Sequence, residues 1–172
     1  EKRTGTAAWV LSKPATRAAV ILSKLASYGA GIGITIVLIQ AAVAYGLMYV
    51  LGGGTVPLLR YAGALALLFL ALFYWLSLTV MLSAISNSRG LVMGVPLLLV
   101  FCPQLLFNWM PAWMWDIMPW NLTMDAVKIR PALATCLLAG QPLASWTPII
   151  STVVSCIAFT VIAIRSFQRE EF

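Results

Sequence analysis

Long apolar runs without a charged residue constrain this chain more than any other feature. No charged residue occurs in residues 25–50, 61–88, 91–109 or 148–164. A helix needs about twenty residues to cross the roughly 30 Å hydrocarbon core of a bilayer. The chain is 62% hydrophobic and only 9% charged, which leaves too little polar surface to cover a soluble globule. These features predict an all-α integral membrane protein.

The runs divide the chain into a short amino-terminal segment and a helical bundle. Residues 1–24 form a cytoplasmic coupling or interfacial helix region, and residues 25–172 form a transmembrane bundle. Charges and turn residues place about four transmembrane helices in the bundle, at about 25–50, 58–85, 91–109 and 148–164.

Basic residues gather on one side of this predicted bundle. The net charge is +6, and five of the eleven basic residues precede the first span. The same side holds Arg89, Arg165 and Arg169, and the other side holds Arg60, Lys128 and Arg130. The positive-inside rule therefore predicts that both ends of this sequence are cytoplasmic. Because the basic residues border apolar runs, they indicate membrane orientation and anionic lipid rather than nucleic acid.

Sites that carry catalytic chemistry are missing from the sequence. There is no histidine, and Cys102, Cys136 and Cys156 lack the close spacing of a zinc site. There is also no GxxxxGK[ST] loop for nucleotide phosphates, no HExxH and no GxSxG. We therefore expect no enzyme activity, no metal and no cofactor in this chain. The absence of charge within the spans also argues against a proton-coupled transporter.

Residues 110–147 are apolar and rich in tryptophan, but prolines interrupt them too often for a straight span. We expect short re-entrant or interfacial helices at the outer side, because irregular backbone in a membrane must be shielded by protein. A complete crossing by this region stays open as an alternative. The tryptophans either form an outer gate or anchor the protein at the headgroups as a belt. The candidate gate residues are Trp109, Trp113, Trp115 and Trp120.

Small residues recur at the spacing that allows close packing of membrane helices. Gly29 with Gly33 and Gly90 with Gly94 each form a GxxxG pair. Such pairs let two backbones approach closely, so we expect helix packing at both.

The first residues combine a helix start, an apolar patch and a helix stop. Thr4 or Thr6 is the candidate cap. Trp9, Val10 and Leu11 supply the patch, and Pro14 ends the helix or turns the chain. Such an element either contacts a cytosolic partner or lies on anionic lipid as an interfacial anchor.

The same segment resembles the cytoplasmic signature of ABC-2 type transporter permeases. The resemblance is carried by Glu1, Lys2, Gly5, Thr6, Leu11, Ser12, Pro14, Arg17, Leu22 and Lys24. Residues 110–130 and the tail 166–172 are similar to the family's region before its last span and to its carboxyl-terminal end. Two features depart from the family pattern, since its first two spans are absent here and Trp120 replaces its more usual Asn-Pro order.

The resemblance implies that the opening segment is a coupling helix that docks on an ATPase subunit. The contact residues it implies are Glu1, Gly5, Thr6, Trp9, Val10, Leu11, Lys13, Pro14 and Arg17. It further implies a permease subunit of an ATP-driven exporter in a bacterial or archaeal plasma membrane, with two further spans before Glu1.

The implied partners are a dimer of cytosolic ABC ATPase subunits, which bind ATP and Mg²⁺, and a second permease copy or homologue. A non-transporting membrane scaffold that recruits another cytosolic partner is the alternative. A membrane-embedded enzyme is more distant, because no polar groups converge at one depth of the predicted bundle.

Overall fold

A computed structural model describes residues 17–51, 56–86, 88–106, 111–125, 131–143 and 145–169. Every regular element in these residues is a helix, so the predicted all-α membrane fold is confirmed. The elements are α1 (Arg17–Ile32), a π-helical segment (Gly33–Leu38), α2 (Ile39–Val50), α3 (Leu58–Ile85), α4 (Arg89–Leu106), α5 (Ala112–Ile117), α6 (Trp120–Thr123), α7 (Leu133–Ala139) and α8 (Thr147–Arg169).

Three helices among the described residues are long and apolar enough to cross a membrane. They are Ala18–Val50, Leu58–Ile85 and Thr147–Gln168. The predicted span 58–85 has the same bounds as α3, whereas α1 begins at Arg17, two turns before the predicted start of the first span. The helix continues through Lys24 because a single basic residue does not break it.

The predicted third span corresponds to α4, whose 18 residues extend about 27 Å. Its apolar part, Arg89–Phe101, is shorter than the three long helices. The rest of the predicted span, up to residue 109, lies partly outside the described residues. The count of four spans therefore stays a prediction.

Helix α3 lies at the centre of the bundle, where it contacts α1, α4, α6, α7 and α8. Its buried residues recur every three or four positions along most of its length: Ala64, Leu67, Ala71, Tyr74, Ser77, Leu78, Val80 and Ala84. This spacing places them on one side of the helix, and three of them are alanines that permit close approach of a neighbouring backbone.

The contacts of α1 and α8 with α3 give the directions of the long helices. One apolar cluster joins α1, α3 and α8 near the last turns of α3: Ile21, Leu25, Val80, Ala84, Ala163 and Phe167. Because Ile21 and Leu25 lie early in α1 while Val80 and Ala84 lie late in α3, these two helices are antiparallel. Helix α8 runs parallel to α3. We call the two ends of the bundle the Leu58 end and the Ile85 end.

Two tyrosines connect α2 with the start of α3 at the Leu58 end. The hydroxyl of Tyr61 donates a hydrogen bond to the carbonyl of Ala41 at 2.8 Å. The rings of Tyr45 and Tyr61 have centroids 5.1 Å apart. These contacts hold α2 against the start of α3.

The short helices α5, α6 and α7 pack beside the bundle in its Leu58 half. Leu122 of α6 and Leu133 of α7 form an apolar cluster with Leu67 and Ala71 of α3. Residues from α5 and α6 also reach Trp75, which lies just past the middle of α3. The short helices therefore pack along the side of the central helix rather than above its end.

Candidate functional site

Three tryptophans meet where the short helices contact α3, and we call Trp75, Trp115 and Trp120 the tryptophan cluster. Trp115 and Trp120 are each only 3% exposed, with ring centroids 5.9 Å apart. Trp75, Met118 and Met124 pack against this pair. The indole rings therefore form a small apolar core between α5, α6 and the central helix.

Two prolines give the chain its path through this cluster. Pro111 has an extended backbone immediately before α5, and Pro119 separates α5 from α6. Since proline supplies no backbone donor and fixes its own φ, it favours helix starts of this kind. The end of α5 is also tied to α8, because the Ser151 hydroxyl donates to the Ile117 carbonyl at 2.6 Å.

The structure divides the predicted gate residues into two groups. Trp115 and Trp120 are buried together, whereas Trp113 is 64% exposed. Trp109 lies outside the described residues. Sequence reasoning missed Trp75. Tryptophans in membrane proteins usually lie at the two membrane interfaces, so a tryptophan in the middle of a span could have indicated a buried contact.

Helix α6 buries an amide that sequence reasoning did not single out. Asn121 is only 3% exposed, as is its neighbour Trp120. Among the described residues, neither the Asn121 Oδ1 atom nor the Trp120 Nε1–H has a hydrogen-bond partner. Buried polar groups are nearly always paired in proteins, so this pair of atoms is an unusual feature of the site.

Helix α7 is held at both ends by polar side chains. At its start, Asp125 Oδ1 accepts a hydrogen bond from the backbone N–H of Ala132 at 2.6 Å and another from the Thr135 hydroxyl at 3.0 Å. At its end, Gly140 adopts a left-handed conformation with φ of 74°. The guanidinium of Arg60, at the start of α3, lies directly against this glycine.

The predicted glycine pairs differ in their surroundings. A Cβ added to Gly29 would lie 3.2 Å from the ring of Phe73, and one added to Gly33 would lie 3.2 Å from the ring of Phe69. Both glycines therefore lie against α3. A Cβ on Gly94 would meet no described atom within 4 Å, and one on Gly90 would approach only Ser88. The first pair thus packs within this chain, and the second has no close neighbour in the part of the chain that the structure describes.

Most of the predicted ATPase contact lies outside the described residues, namely Glu1, Gly5, Thr6, Trp9, Val10, Leu11, Lys13 and Pro14. Arg17, the remaining predicted contact residue, is the first residue of α1. Ile21 and Leu25 follow within the next two turns and are buried against α3 and α8. The helix that starts at the end of the predicted contact is therefore anchored in the bundle from its second turn.

A family model described as ABC-2 family transporter protein matches residues 1–172. Comparisons with curated proteins and with solved structures gave no match. The family match covers the whole sequence and confirms the resemblance of the opening segment, and the long apolar helices agree with a multi-pass membrane protein. The chain belongs to the ABC-2 family of transporter proteins and is a permease-type transmembrane component.

Proposed function

We propose that this chain is the permease subunit of an ATP-driven exporter and that it couples ATP hydrolysis in a cytosolic ABC ATPase to movement of a substrate across the membrane. The match of the ABC-2 family to residues 1–172 carries the proposal. ATP and Mg²⁺ bind to the ATPase in this scheme, and the permease acts together with a second copy or a homologue. The chain contributes no catalytic residue of its own.

The anchoring of α1 supports a mechanical route for this coupling. The helix from Ala18 to Val50 has 33 residues and a length of about 50 Å. Near its start, Ile21 and Leu25 contact Val80 and Ala84 of α3 and Phe167 of α8. A force applied before Arg17 acts on a helix that is packed against both neighbours, so these helices move as one body.

We assign the Ile85 end of the bundle to the cytoplasm. Arg17, Lys24, Arg89 and Arg165 lie in the sequence at helix positions near this end, whereas Arg60 lies near the Leu58 end. This distribution follows the positive-inside rule. The short helices α5 to α7 then belong to the outer half of the membrane, as re-entrant elements that do not cross it.

The outer gate is the second part of the proposal, with Trp113 as its exposed surface and the tryptophan cluster as its support. Trp113 is exposed at the surface of the bundle, and it lies on the same short helix as the buried Trp115. A shift of α5 relative to α3 would therefore move an exposed ring and repack a buried one together. The alternative is a tryptophan belt, in which the exposed ring only anchors the protein at the interface.

Copurification separates the exporter from the scaffold alternative. The permease is purified in mild detergent from the cells that produce it naturally, and the preparation is assayed for retained proteins and for ATP hydrolysis. An exporter subunit retains an ATPase whose turnover changes when the permease is present. Retention of a cytosolic protein without ATPase activity would favour the scaffold.

A further inference from the structure

We propose that α5 and α6 (residues 112–123) form a latch, whose packed state is weakened by two buried polar groups that have no hydrogen-bond partner among the described residues. The groups are the Asn121 Oδ1 atom and the Trp120 Nε1–H on neighbouring residues of α6. The inference deepens the proposed outer gate, because it names what biases the gate toward opening. Its test does not require ATP, a substrate or the ATPase.

The buried hydroxyls of Ser77 and Thr152, in the long helices, are paired. Ser77 and Thr152, each 1% exposed, donate to carbonyls in their own helices, at 2.8 Å to Tyr74 and at 2.6 Å to Pro148. The long helices thus satisfy their buried hydroxyls locally. The Asn121 Oδ1 atom has no such option, because an amide oxygen accepts hydrogen bonds and does not donate them.

The packed state of the latch is a balance of opposing contributions. Leu122 is completely buried and packs with Leu67 and Leu133, and Ser151 ties the end of α5 to α8. These contacts favour closure. An unpaired buried polar group loses its bonds to water, so Asn121 and Trp120 favour any arrangement in which the two atoms meet water or a polar ligand. The two polar groups therefore lower the free-energy cost of opening the latch.

The buried thiol of Cys136 can report how often the latch opens. Cys136 is buried, at 4% exposure, and lies in α7 three residues after Leu133. Leu133 packs on Leu122 of α6. Separation of α6 from α7 therefore uncovers the face of α7 that carries Cys136, and the rate of thiol labelling measures how often this separation occurs.

The experiment uses the full chain in detergent with Cys102 and Cys156 replaced by alanine, and a small maleimide as the probe. Asn121→Leu keeps the branching and the number of heavy atoms of the side chain but removes the unpaired oxygen. We expect Cys136 labelling to slow by roughly tenfold and the thermal midpoint to rise by about 2–4 °C. Faster or unchanged labelling with a lower midpoint would overturn the latch.

Two further variants complete the test. Thr152→Val removes a buried hydroxyl that has a partner, so it should leave Cys136 labelling unchanged or faster and should not raise the midpoint. Asn121→Asp places a carboxylate at the unpaired position and should accelerate labelling, because a buried charge gains more from opening than an amide does. Slower labelling in Asn121→Asp would contradict the proposal even if Asn121→Leu fails to fold. Unchanged transport in variants whose Cys136 labelling changes as expected would instead count against the gate alone.

Discussion

The guanidinium of Arg60 lies directly against Gly140, although eighty residues of sequence separate the two. Gly140 ends α7 in a left-handed conformation, and the N–H of Gln141 closes the turn onto the carbonyl of Cys136 at 2.9 Å. A cation beside the carboxyl end of a helix also interacts favourably with the unpaired carbonyls there. The contact joins the start of the central helix to the last of the short helices.

Replacing Gly140 with alanine should destabilise the protein by about 1–2 kcal/mol. The left-handed conformation is unfavourable for an L-residue, and the added Cβ would overlap the Arg60 guanidinium. The thermal midpoint in detergent measures the loss. Gly46→Ala is the matched control, because no described atom lies within 4 Å of its Cβ and its helix favours alanine. Equal midpoints for the two variants would contradict the left-handed conformation of Gly140.

Gly29 and Gly33 should not tolerate a large side chain. Gly29→Leu and Gly33→Leu would place atoms inside the space of Phe73 and Phe69, and overpacking of this kind costs about 1–3 kcal/mol. Gly31→Leu, on the open side of the same helix, should leave the thermal midpoint nearly unchanged. A loss of stability that is as large for Gly31 as for Gly33 would mean that the open side of α1 is also packed.

The two tryptophans of α5 should affect different properties, Trp115 the stability of the protein and Trp113 its transport rate. Trp115→Ala removes a buried ring and should cost about 3–5 kcal/mol of stability. Trp113→Ala should leave the thermal midpoint unchanged while it lowers transport per folded molecule in liposomes. A normal transport rate for Trp113→Ala would refute the outer gate and leave the belt.

Apolar length and charge predicted the long helices well. The span 58–85 was predicted with the bounds that α3 has, because an apolar run lies between Pro57 and the turn at Ser86. The same criteria do not give the start of the first helix, since Lys24 ends a charge-free run without ending a helix. Composition also cannot separate Trp113 from Trp115, because a membrane belt and a buried core use the same residue. The Arg60 contact with Gly140 depends on the tertiary fold and has no local sequence signal.

The hydrophobic pattern of the sequence also did not predict the π-helical segment. Gly33–Leu38 lies inside a continuous apolar helix, and its wider turn shifts which residues face α3. Val37 is buried in this segment, and Gly33 lies against Phe69. Apolar residues occur on every side of this helix, so no change of hydrophobic pattern marks the wider turn.

Labelling of single cysteines should establish the orientation of the bundle. Cysteines at positions 53 and 128 should react with a membrane-impermeant reagent added outside, because both positions lie on the side with few basic residues. Cysteines at positions 13 and 169 should react only after the membrane is permeabilised. Labelling of position 169 from outside would mean that the stretch 110–147 crosses the membrane completely.

Coupling through the segment Gly5 to Lys13 is the central claim, and ATP turnover in proteoliposomes tests it most directly. Leu11→Asp would bury an unpaired carboxylate in the proposed ATPase contact, at a cost of roughly several kcal/mol. Leu11→Ile keeps the contact apolar and serves as the control. We predict that Leu11→Asp lowers both ATPase binding and stimulated turnover, whereas Leu11→Ile keeps both. Unchanged binding and turnover in Leu11→Asp would contradict the account and leave the segment as a lipid anchor.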